Sequence, residues 1–499
     1  MYPSQQTFLI LGLSRSGTAV ADFLLKNKAT VYLYDDLTSD NLEKNICELE
    51  KLGGKRVSKD DLAKMNEICD AVVLSPGIPI DHPVSISFRR AGKGILGETE
   101  LASRLMRCPI VAVTGTNGKT TTVSMIEKVL IESGKKAEAC GNVGSPMIKH
   151  LHLTTNDVAV AEISSFQLET LNSLCPHIAV VLNITEDHLN RHYNMENYIF
   201  LKRKLLKNLT ETEYAVLNHD DETVKKFEDS TRAKKVYFSV REKVNGAYVK
   251  DDAIYYFDEK IMEVKSLLLI GEHNVQNALA TVCVAKLLGV ETQVIASSLS
   301  AFKGIKHRIE RVGVVDGVAY IDDSKATNVD ATLKAVGSIK SETVLLLGGK
   351  DKGYDYDKLF LALRNSSVVK CILYGENRLK LLESAMRTGN KSVALCDNFT
   401  IAVNIARLIA TQGQTVLLSS NRSIRIPQTV FSKAEVFLMI QCLKTSLICA
   451  DSVAIIICML PNFQIQILKH LMNSNHESGT IRLNSAMTVR LIIKHVRVQ

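Results

Sequence analysis

Residues 111–122 limit the possible folds of this chain more than any other stretch. Their sequence is VAVTGTNGKTTT, an apolar run followed by a glycine-rich turn, and the residues after them predict a helix over 123–132. A strand, a glycine turn and a helix in this order are typical of a phosphate-binding loop, because backbone N–H groups and the helix N-terminus then face the anion. Gly115 and Gly118 are closer together than the glycines of the common loop. The alternative is a simple turn in front of a helix, with a solvated lysine.

The loop carries side chains suited to a nucleoside triphosphate. Lys119, which we expect in an exposed loop, can reach the outer phosphates, and the hydroxyls of Thr120 and Thr121 can face a metal ion. The predicted ATP-binding residues of this loop are Gly115, Thr116, Asn117, Gly118, Lys119, Thr120 and Thr121.

Composition and charge predict a globular protein of several domains. The chain has 499 residues, 46% of them hydrophobic and 23% charged, and no uncharged run is long enough to span a bilayer. Eleven cysteines without a CxxC pair favour free thiols in a reducing cytoplasm. After residue 420, nine Lys/Arg and three Asp/Glu give +6 of the net charge of +8, which leaves +2 on residues 1–420. We therefore expect a cytoplasmic protein without nucleic-acid partners or stable membrane insertion. A monomer is a separate expectation, which composition and charge do not decide.

The first region predicts a nucleotide-binding βαβ unit. A strand at 7–11 precedes the turn GLSRSG, and a second strand, at 31–34, ends at Asp35. Two glycines occur where the dinucleotide fingerprint has three, which favours a mononucleotide or sugar nucleotide over NAD; the alternative is a structural turn. A further strand, at 71–74, leads into the Ser-Pro-Gly turn 75–77, at the edge where open sheets bind ligands.

The central region places polar residues after its strands. One strand ends at Glu162, and an apolar strand at 178–184 leads into Thr-Glu-Asp-His188. Alternating strands and helices imply a parallel sheet, whose carboxyl edge would gather Glu162, His188 and the loop threonines. Such a set can hold Mg²⁺ against a triphosphate, although His188 could equally be an ordinary surface histidine. A helix at 195–209 carries the basic run 202–204, for which the alternative is a solvated helix face.

The third region predicts another doubly wound unit. A hairpin around 316–317 is followed by strands at 343–347, 371–374 and 415–418, with helices between them. The predicted fold class is α/β, with three domains that are each built on a mostly parallel sheet with flanking helices. We place these domains at 1–98, 99–302 and 303–420, followed by an atypical tail at 421–499.

Several ordered motifs in this chain resemble those of the Mur ligases of peptidoglycan synthesis. They are the phosphate loop at 114–122, EISSFQLE at 162–169 and TEDHLNRH at 185–192. DSKATN at 323–328 is similar to the form found in members that add D-glutamate. The resemblance implies an ATP-dependent amide ligase that uses Mg²⁺ and joins D-glutamate to UDP-N-acetylmuramoyl-L-alanine through an acyl phosphate. It also implies that the three domains bind the uridine nucleotide, ATP and D-glutamate in that order.

The resemblance also implies roles for residues at matching positions. The positions that match the UDP-sugar site are Ser14, Arg15, Ser16, Gly17, Asp35, Ser75, Gly77 and Asn142. Beyond the loop, the positions that match the ATP site are Asn274, Asn277, Arg308 and Asp323. The metal positions are Thr120, Glu162, His188 and Lys202, with Lys202 carbamylated, and the catalytic residues are Lys119, Glu162, His188 and Lys202. The D-glutamate positions are Lys325, Thr327 and Lys352.

The tail departs from the pattern of the rest of the chain. Residues 421–499 contain one glycine, against 26 in residues 1–420, and tight turns in an α/β domain need glycines. We hypothesise that the tail is translated out of the ancestral reading frame from about residue 419; the alternative is a lineage-specific helical extension. Two other functions therefore stay open: a related Mur or folylpolyglutamate-type amide ligase, and an inactive nucleotide-binding remnant with a damaged C-terminus.

Overall fold

The structure is a computed structural model that describes residues 3–269, 271–326, 328–350 and 354–420, together with short strands at 457–458, 478–483 and 487–492. The chain divides into two compact units. The first contains Met1–Arg308 and Asp330–Ser338, and the second begins with Ile309–Val329 and resumes at Ile339.

The first sheet of the first unit is fully parallel, with strand order β3-β2-β1-β4-β5. Its strands are β1 (Thr7–Leu11), β2 (Thr30–Tyr34), β3 (Lys55–Arg56), β4 (Ala71–Leu74) and β5 (Gly94–Gly97). Its helices are α1 (Arg15–Lys26), α2 (Asp40–Lys51), α3 (Met65–Ile68), α4 (Pro83–Arg90) and α5 (Glu98–Leu105). The apolar runs of β1 and β4 are buried because helices cover both faces, as a parallel sheet requires.

The central sheet has nine strands in the order β14-β13-β12-β11-β10-β9-β6-β8-β7. They are β6 (Ile110–Thr114), β7 (Ala137–Gly141), β8 (Val158–Glu162), β9 (Ile178–Val181), β10 (Tyr214–Asn218), β11 (Lys234–Ser239), β12 (Gly246–Lys250), β13 (Ala253–Tyr256) and β14 (Glu259–Glu263). The last three form an antiparallel meander at one edge, and the other pairs are parallel.

The helices of this part of the first unit are α6 (Lys119–Glu132), α7 (Ser165–Glu169), α8 (Leu189–His192), α9 (Met195–Arg203), α10 (Glu222–Lys225), α11 (Glu272–Leu287), α12 (Thr292–Ser300) and, except for its first residue, α13 (Val329–Gly337). Two predicted elements are too long. The strand predicted over 178–184 ends at Val181, and the helix predicted over 195–209 ends at Arg203 and continues as one 3₁₀ turn, Lys204–Leu206.

The second unit is built on a sheet with the order β15-β16-β20-β17-β18-β19-β21. Its strands are β15 (Glu310–Val315), β16 (Val318–Asp323), β17 (Thr343–Gly349), β18 (Val368–Gly375), β19 (Val393–Cys396), β20 (Thr415–Ser420) and β21 (Ile457–Cys458); its helices are α14 (Asp357–Leu363), α15 (Arg378–Arg387) and α16 (Phe399–Ile409). Only the predicted hairpin, β15 with β16, is antiparallel among these pairs.

The mostly parallel α/β fold is therefore confirmed, and the predicted domain boundaries at 98, 302 and 420 stay predictions. Beyond residue 420 the structure describes β21 and one antiparallel pair, β22 (Ser478–Leu483) with β23 (Met487–Ile492); the rest of the predicted atypical tail lies outside the described residues. The eight cysteines between residues 47 and 396 carry free thiols.

Candidate active site

The phosphate loop connects β6 to α6 at the carboxyl edge of the central sheet. Gly118 has φ of 86°, and a Cβ there would lie 2.3 Å from Oδ1 of Asn277, so a side chain fits neither the backbone nor the space. Helix α6 begins at the next residue, Lys119. The prediction that Lys119 lies in an exposed loop is therefore wrong. It is half-buried in the first helical turn, and its Nζ donates to the carbonyls of Gly115 and Thr116 at 2.7 and 2.6 Å.

An asparagine that the sequence analysis missed fixes the shape of the loop. Asn183 Oδ1 accepts from the backbone N–H of Asn117 at 2.8 Å, and its Nδ2 donates to the Asn117 carbonyl at 3.0 Å. Thr116 donates to the Thr185 carbonyl at 3.0 Å. The position of Asn183, two residues after the end of the apolar strand β9, is the signal that could have identified it, because polar residues near such strand ends face the ligand edge.

The predicted metal ligands Thr120 and Glu162 lie together. Thr120 Oγ1 donates to Oε2 of Glu162 at 2.7 Å, and Glu162 is 2% exposed. Asn142, predicted at the sugar-nucleotide site, donates from Nδ2 to Oε1 of the same carboxylate at 2.6 Å. Arg308 Nη2 donates to Thr120 Oγ1 at 3.3 Å. A buried carboxylate beside a hydroxyl is a set of hard oxygen donors, which suits Mg²⁺.

His188 is held in an unusual backbone conformation at the start of α8. Its φ is 54°, in the left-handed region that residues with a Cβ rarely adopt. The ring centroid lies 4.7 Å from that of Phe166, and Nε2 lies 3.6 Å from Oδ2 of Asp187. Backbone strain of this kind is found at sites where the surrounding structure fixes a functional side chain.

Lys202 is buried, so the alternative of a solvated helix face is wrong for this residue. It is 1% exposed, and its Nζ donates to the Gly115 carbonyl at 2.7 Å and to Thr114 Oγ1 at 3.2 Å. Burial, followed by the nearby charge of Lys119, holds the pKa of Lys202 well below its usual range. Burial also lowers the pKa of Lys119. A neutral amine at Lys202 is the form that can react with carbon dioxide, as a carbamate requires.

The predicted adenine-side residues pack against the phosphate loop. Asn277 Oδ1 accepts from Thr122 Oγ1 at 3.2 Å, and its Nδ2 donates to Asn274 Oδ1 at 3.3 Å. Both asparagines are buried in α11, as is Thr121 in α6. These contacts form because α11 packs on α6, which places Asn274 and Asn277 next to the phosphate loop.

At the first sheet, polar side chains form hydrogen bonds with backbone groups of the predicted nucleotide-binding turn, residues 12–17. Asp35 Oδ2 accepts from the N–H of Leu13 at 2.6 Å, and Ser75 donates to the carbonyl of Gly12 at 2.7 Å. A Cβ on Gly17 would lie 1.9 Å from that same carbonyl oxygen, which explains the second glycine. Ser14 and Arg15 are exposed, and Ser16 is half-buried.

In the second unit, Asp323 ends β16, and its Oδ1 accepts from the N–H of Ile309 at 3.2 Å. Lys325 is exposed after this strand. The predicted D-glutamate residues Thr327 and Lys352 lie outside the described residues, so their assignment stays a prediction.

The phosphate loop, the buried carboxylate of Glu162, the buried Lys202 and the half-buried Lys119 lie at one sheet edge, an arrangement typical of sites for phosphoryl transfer. Two family models match the chain: the Mur ligase middle domain over residues 113–285, and the Mur ligase, glutamate ligase domain over residues 307–422. The chain belongs to the Mur ligases, a family of ATP-dependent, amide-forming ligases.

Relatives of similar length share the sequence. The UDP-N-acetylmuramoylalanine–D-glutamate ligase of Caldanaerobacter subterraneus subsp. tengcongensis is 39% identical over 420 residues, which are 83% of this chain and 93% of that protein. The protein of the same name from Clostridioides difficile is 37% identical over 418 residues, or 82% of this chain and 92% of that protein. The resemblance found in the sequence motifs is thus confirmed.

Solved structures share the fold. The UDP-N-acetylmuramate–alanine ligase of Thermotoga maritima superposes with a TM-score of 0.55 at 18% identity, over 88% of this chain and 100% of that one. The MurF ligase of Thermotoga maritima in complex with ADP gives 0.55 at 16% identity, over 85% of this chain and 94% of that one. None of the helices that the structure describes has the length and hydrophobicity of a membrane span.

Proposed function

We propose that this chain joins D-glutamate to UDP-N-acetylmuramoyl-L-alanine, with cleavage of ATP to ADP and phosphate. The observation that carries the proposal is the group at the central sheet edge, where Thr120 donates to the buried Glu162 and Lys119 and Lys202 both reach the loop carbonyl of Gly115. The names of the relatives that cover this chain supply the substrates.

The first step activates the acid. A carboxylate oxygen of the muramoyl-alanine substrate attacks the γ-phosphorus of ATP, the bond to the bridging oxygen breaks, and ADP leaves. Lys119 neutralises the outer phosphates, because this transfer depends on positioning and charge rather than on covalent help from the protein. When bound, Mg²⁺ supplies further neutralisation of the phosphate oxygens, and Thr120, Glu162 and His188 are the residues that would hold it.

The second step forms the amide. The amine of D-glutamate attacks the carbonyl carbon of the acyl phosphate, phosphate leaves, and the amine loses a proton. Negative charge develops on the carbonyl oxygen at this stage, and nearby cations stabilise it. The exposed Lys325, together with Thr327 and Lys352, is assigned to the D-glutamate side.

The test is phosphate release by the purified full-length chain with ATP, Mg²⁺ and UDP-N-acetylmuramoyl-L-alanine. Release should require D-glutamate, and a panel of other amino acids and a folate acceptor serves as the control. Preference for another amino acid or for folate would replace the substrate assignment with that of a related ligase. Mg²⁺ removal should stop turnover, and gel filtration should give a monomer.

A second candidate is a nucleotide-binding remnant without ligase activity. The family model ends at residue 422, and the glycine-poor tail follows directly. This candidate expects binding of ATP and the UDP-sugar with no phosphate release under any condition. Replacement of residues 420–499 by the corresponding terminus of a relative should then restore release, whereas full activity of the chain as it stands would exclude this candidate.

A further inference from the structure

Arg191, in the short helix α8, contacts both a carboxylate beside the central site and a loop of the first sheet. Its Nε and Nη2 donate to Oε1 and Oε2 of Glu169 at 2.9 and 2.6 Å. Its Nη1 and Nη2 also donate to the carbonyls of Gly77 and Ile78, at 3.2 and 2.8 Å. A planar guanidinium can serve one carboxylate and two carbonyls at once, which the compact ammonium of lysine cannot do in the same geometry.

The same guanidinium packs on a ring that supports the predicted metal ligand. Cζ of Arg191 lies 5.1 Å from the centre of the Phe166 ring, and His188 packs on this ring as well. Phe166 belongs to α7, whose last residue is the Glu169 that pairs with Arg191. A shift of the guanidinium therefore changes the surroundings of His188.

The backbone around α8 also needs outside support. His188 before the helix and Tyr193 after it both have left-handed φ values, 54° and 69°. Tertiary contacts must hold such a segment in place. The Tyr193 hydroxyl donates to Asp81, so the segment 188–193 contacts the stretch 77–81 of the first sheet at two places.

The loop that Arg191 holds is part of a cavity wall. Ser75, Pro76 and Ile78 line this cavity from the first sheet, and Phe166 and Glu169 line it from α7. Ser75 and Gly77 are predicted to bind the sugar nucleotide, and His188 is predicted to serve the phosphoryl chemistry. The reacting carboxylate and phosphate meet only if the loop with Ser75 and Gly77 keeps a fixed position relative to His188.

We infer that Arg191 is a positioning residue, which sets the sugar-nucleotide loop 75–78 relative to His188 through its shared contacts with Gly77, Ile78 and Glu169. The inference rests on the proposed function, because that function assigns the loop and His188 to one reaction.

The test compares Arg191→Lys with Arg203→Lys. Arg191→Lys keeps the positive charge but removes the planar guanidinium that makes the contacts. Arg203→Lys makes the same change at an exposed site on α9. Calorimetric titration with UDP-N-acetylmuramoyl-L-alanine, without ATP, should show binding weakened about tenfold in Arg191→Lys and unchanged in Arg203→Lys. In turnover, KM for the UDP-sugar should rise by a similar factor, while KM for ATP stays within about twofold.

A merely structural role would lower the thermal midpoint and the active fraction but leave the affinity of the folded enzyme unchanged. If Arg191→Lys does not fold, Glu169→Gln is the second variant, because it weakens the ion pair from the carboxylate side. It should also raise the Kd for the UDP-sugar. The inference would be overturned if Arg191→Lys bound the UDP-sugar as tightly as Arg203→Lys does. If Glu169→Gln is used instead, binding as tight as that of Arg203→Lys would overturn it in the same way. The titration needs no turnover, so an inactive wild type would count against the proposed function while the comparison of affinities still decides this inference.

Discussion

The carboxyl edges of the first and central sheets both have a glycine-rich βα turn, but different side chains lie beside the two turns. On the central sheet, Glu162 and Lys202 are almost fully buried, and Lys119 is half-buried. On the first sheet, Asp35 and Ser75 hydrogen-bond backbone groups of the turn, and Arg15 is exposed. Burial of charge is costly unless partners compensate it. We therefore expect the central edge to serve the reaction, in which charge moves, and the first edge to serve recognition.

The contrast between the two edges is clearest in the lysines of the central edge, Lys119 and Lys202. Burial lowers the pKa of both Lys119 and Lys202, and the nearby charge of Lys119 lowers the pKa of Lys202 further. The side-chain nitrogens of both lysines donate to the Gly115 carbonyl of the phosphate loop. Carbonyl oxygens are weaker partners than phosphate oxygens, so we expect Lys119 to exchange its carbonyl contacts for an anionic ligand.

The largest effect is expected from Lys119→Ala. Loss of the cation at the outer phosphates should lower kcat at least about a thousandfold, because charge neutralisation is the main contribution of the protein to phosphoryl transfer. Lys128→Ala, on the same helix in an ion pair with Glu132, is the matched control and should keep wild-type turnover. Circular dichroism checks the fold of both variants. Turnover of Lys119→Ala near that of the control would remove the distinction between the two edges.

The next largest effect is expected from Lys202→Ala. If the Lys202 amine carries a carbamate, its removal should lower kcat by about a hundredfold or more, since an anion beside the metal is lost. Added acetate or formate should restore part of the rate, and Arg203→Ala, at the exposed neighbour, should behave as wild type. Absence of rescue, together with full wild-type activity in buffer free of carbon dioxide, would contradict carbamylation.

The sequence predicts the strands well and the placement of side chains less well. The runs at 7–11, 71–74 and 343–347 are recognisable because buried parallel strands are apolar on both faces. The left-handed Gly118 lets α6 begin at Lys119, so its side chain folds back over the loop instead of extending into solvent. Local patterns do not contain this information.

Burial of a charged residue depends on distant parts of the chain. The run 202–204 looks like a solvated face, yet its first lysine reaches Gly115 of the phosphate loop. The partners of Asn183 and Arg191, which are Asn117 and Gly77, are likewise far away along the chain, so the sequence did not predict these contacts. The pairing of Thr120 with Glu162 was predictable, since Thr120 lies in the first turn of the helix after β6 and Glu162 ends the adjacent parallel strand β8.

A smaller effect, on stability, is expected from His192→Gln. Burial lowers the pKa of His192 from 6.5 to about 4, so the folded protein keeps this ring neutral. Between pH 6.5 and pH 4 the His192 ring is protonated in the unfolded chain but neutral in the folded protein. The contribution of the neutral ring to the free energy of unfolding is therefore complete above about pH 6.5 and is lost as the pH falls towards 4. The difference in free energy of unfolding between wild type and His192→Gln should therefore shrink by about 2 kcal/mol from pH 7 to pH 5.

Urea unfolding measures this difference, and the same pair at pH 7 and pH 8 is the internal control, since almost no change is expected there. A difference that stays constant down to pH 5 would show that His192 is not held neutral. The central edge would then be less sensitive to protonation than its burial indicates.

The smallest effect, and the one that sharpens the comparison most, is expected from Asp35→Asn. Asp35 accepts from the N–H groups of Leu13 and Leu37 at 2.6 and 2.9 Å, and an amide at this position can accept only through one oxygen. The turn that receives the sugar nucleotide should loosen, so KM for UDP-N-acetylmuramoyl-L-alanine should rise about tenfold. Asp22→Asn, in a surface ion pair with Lys26 on α1, is the control and should leave KM unchanged. Because recognition and chemistry are assigned to different edges, kcat and KM for ATP should stay within about twofold of wild type in both variants. A fall in kcat comparable to that of Lys119→Ala would instead mean that the first edge takes part in the chemical step, and the distinction between a recognition edge and a reaction edge would fail.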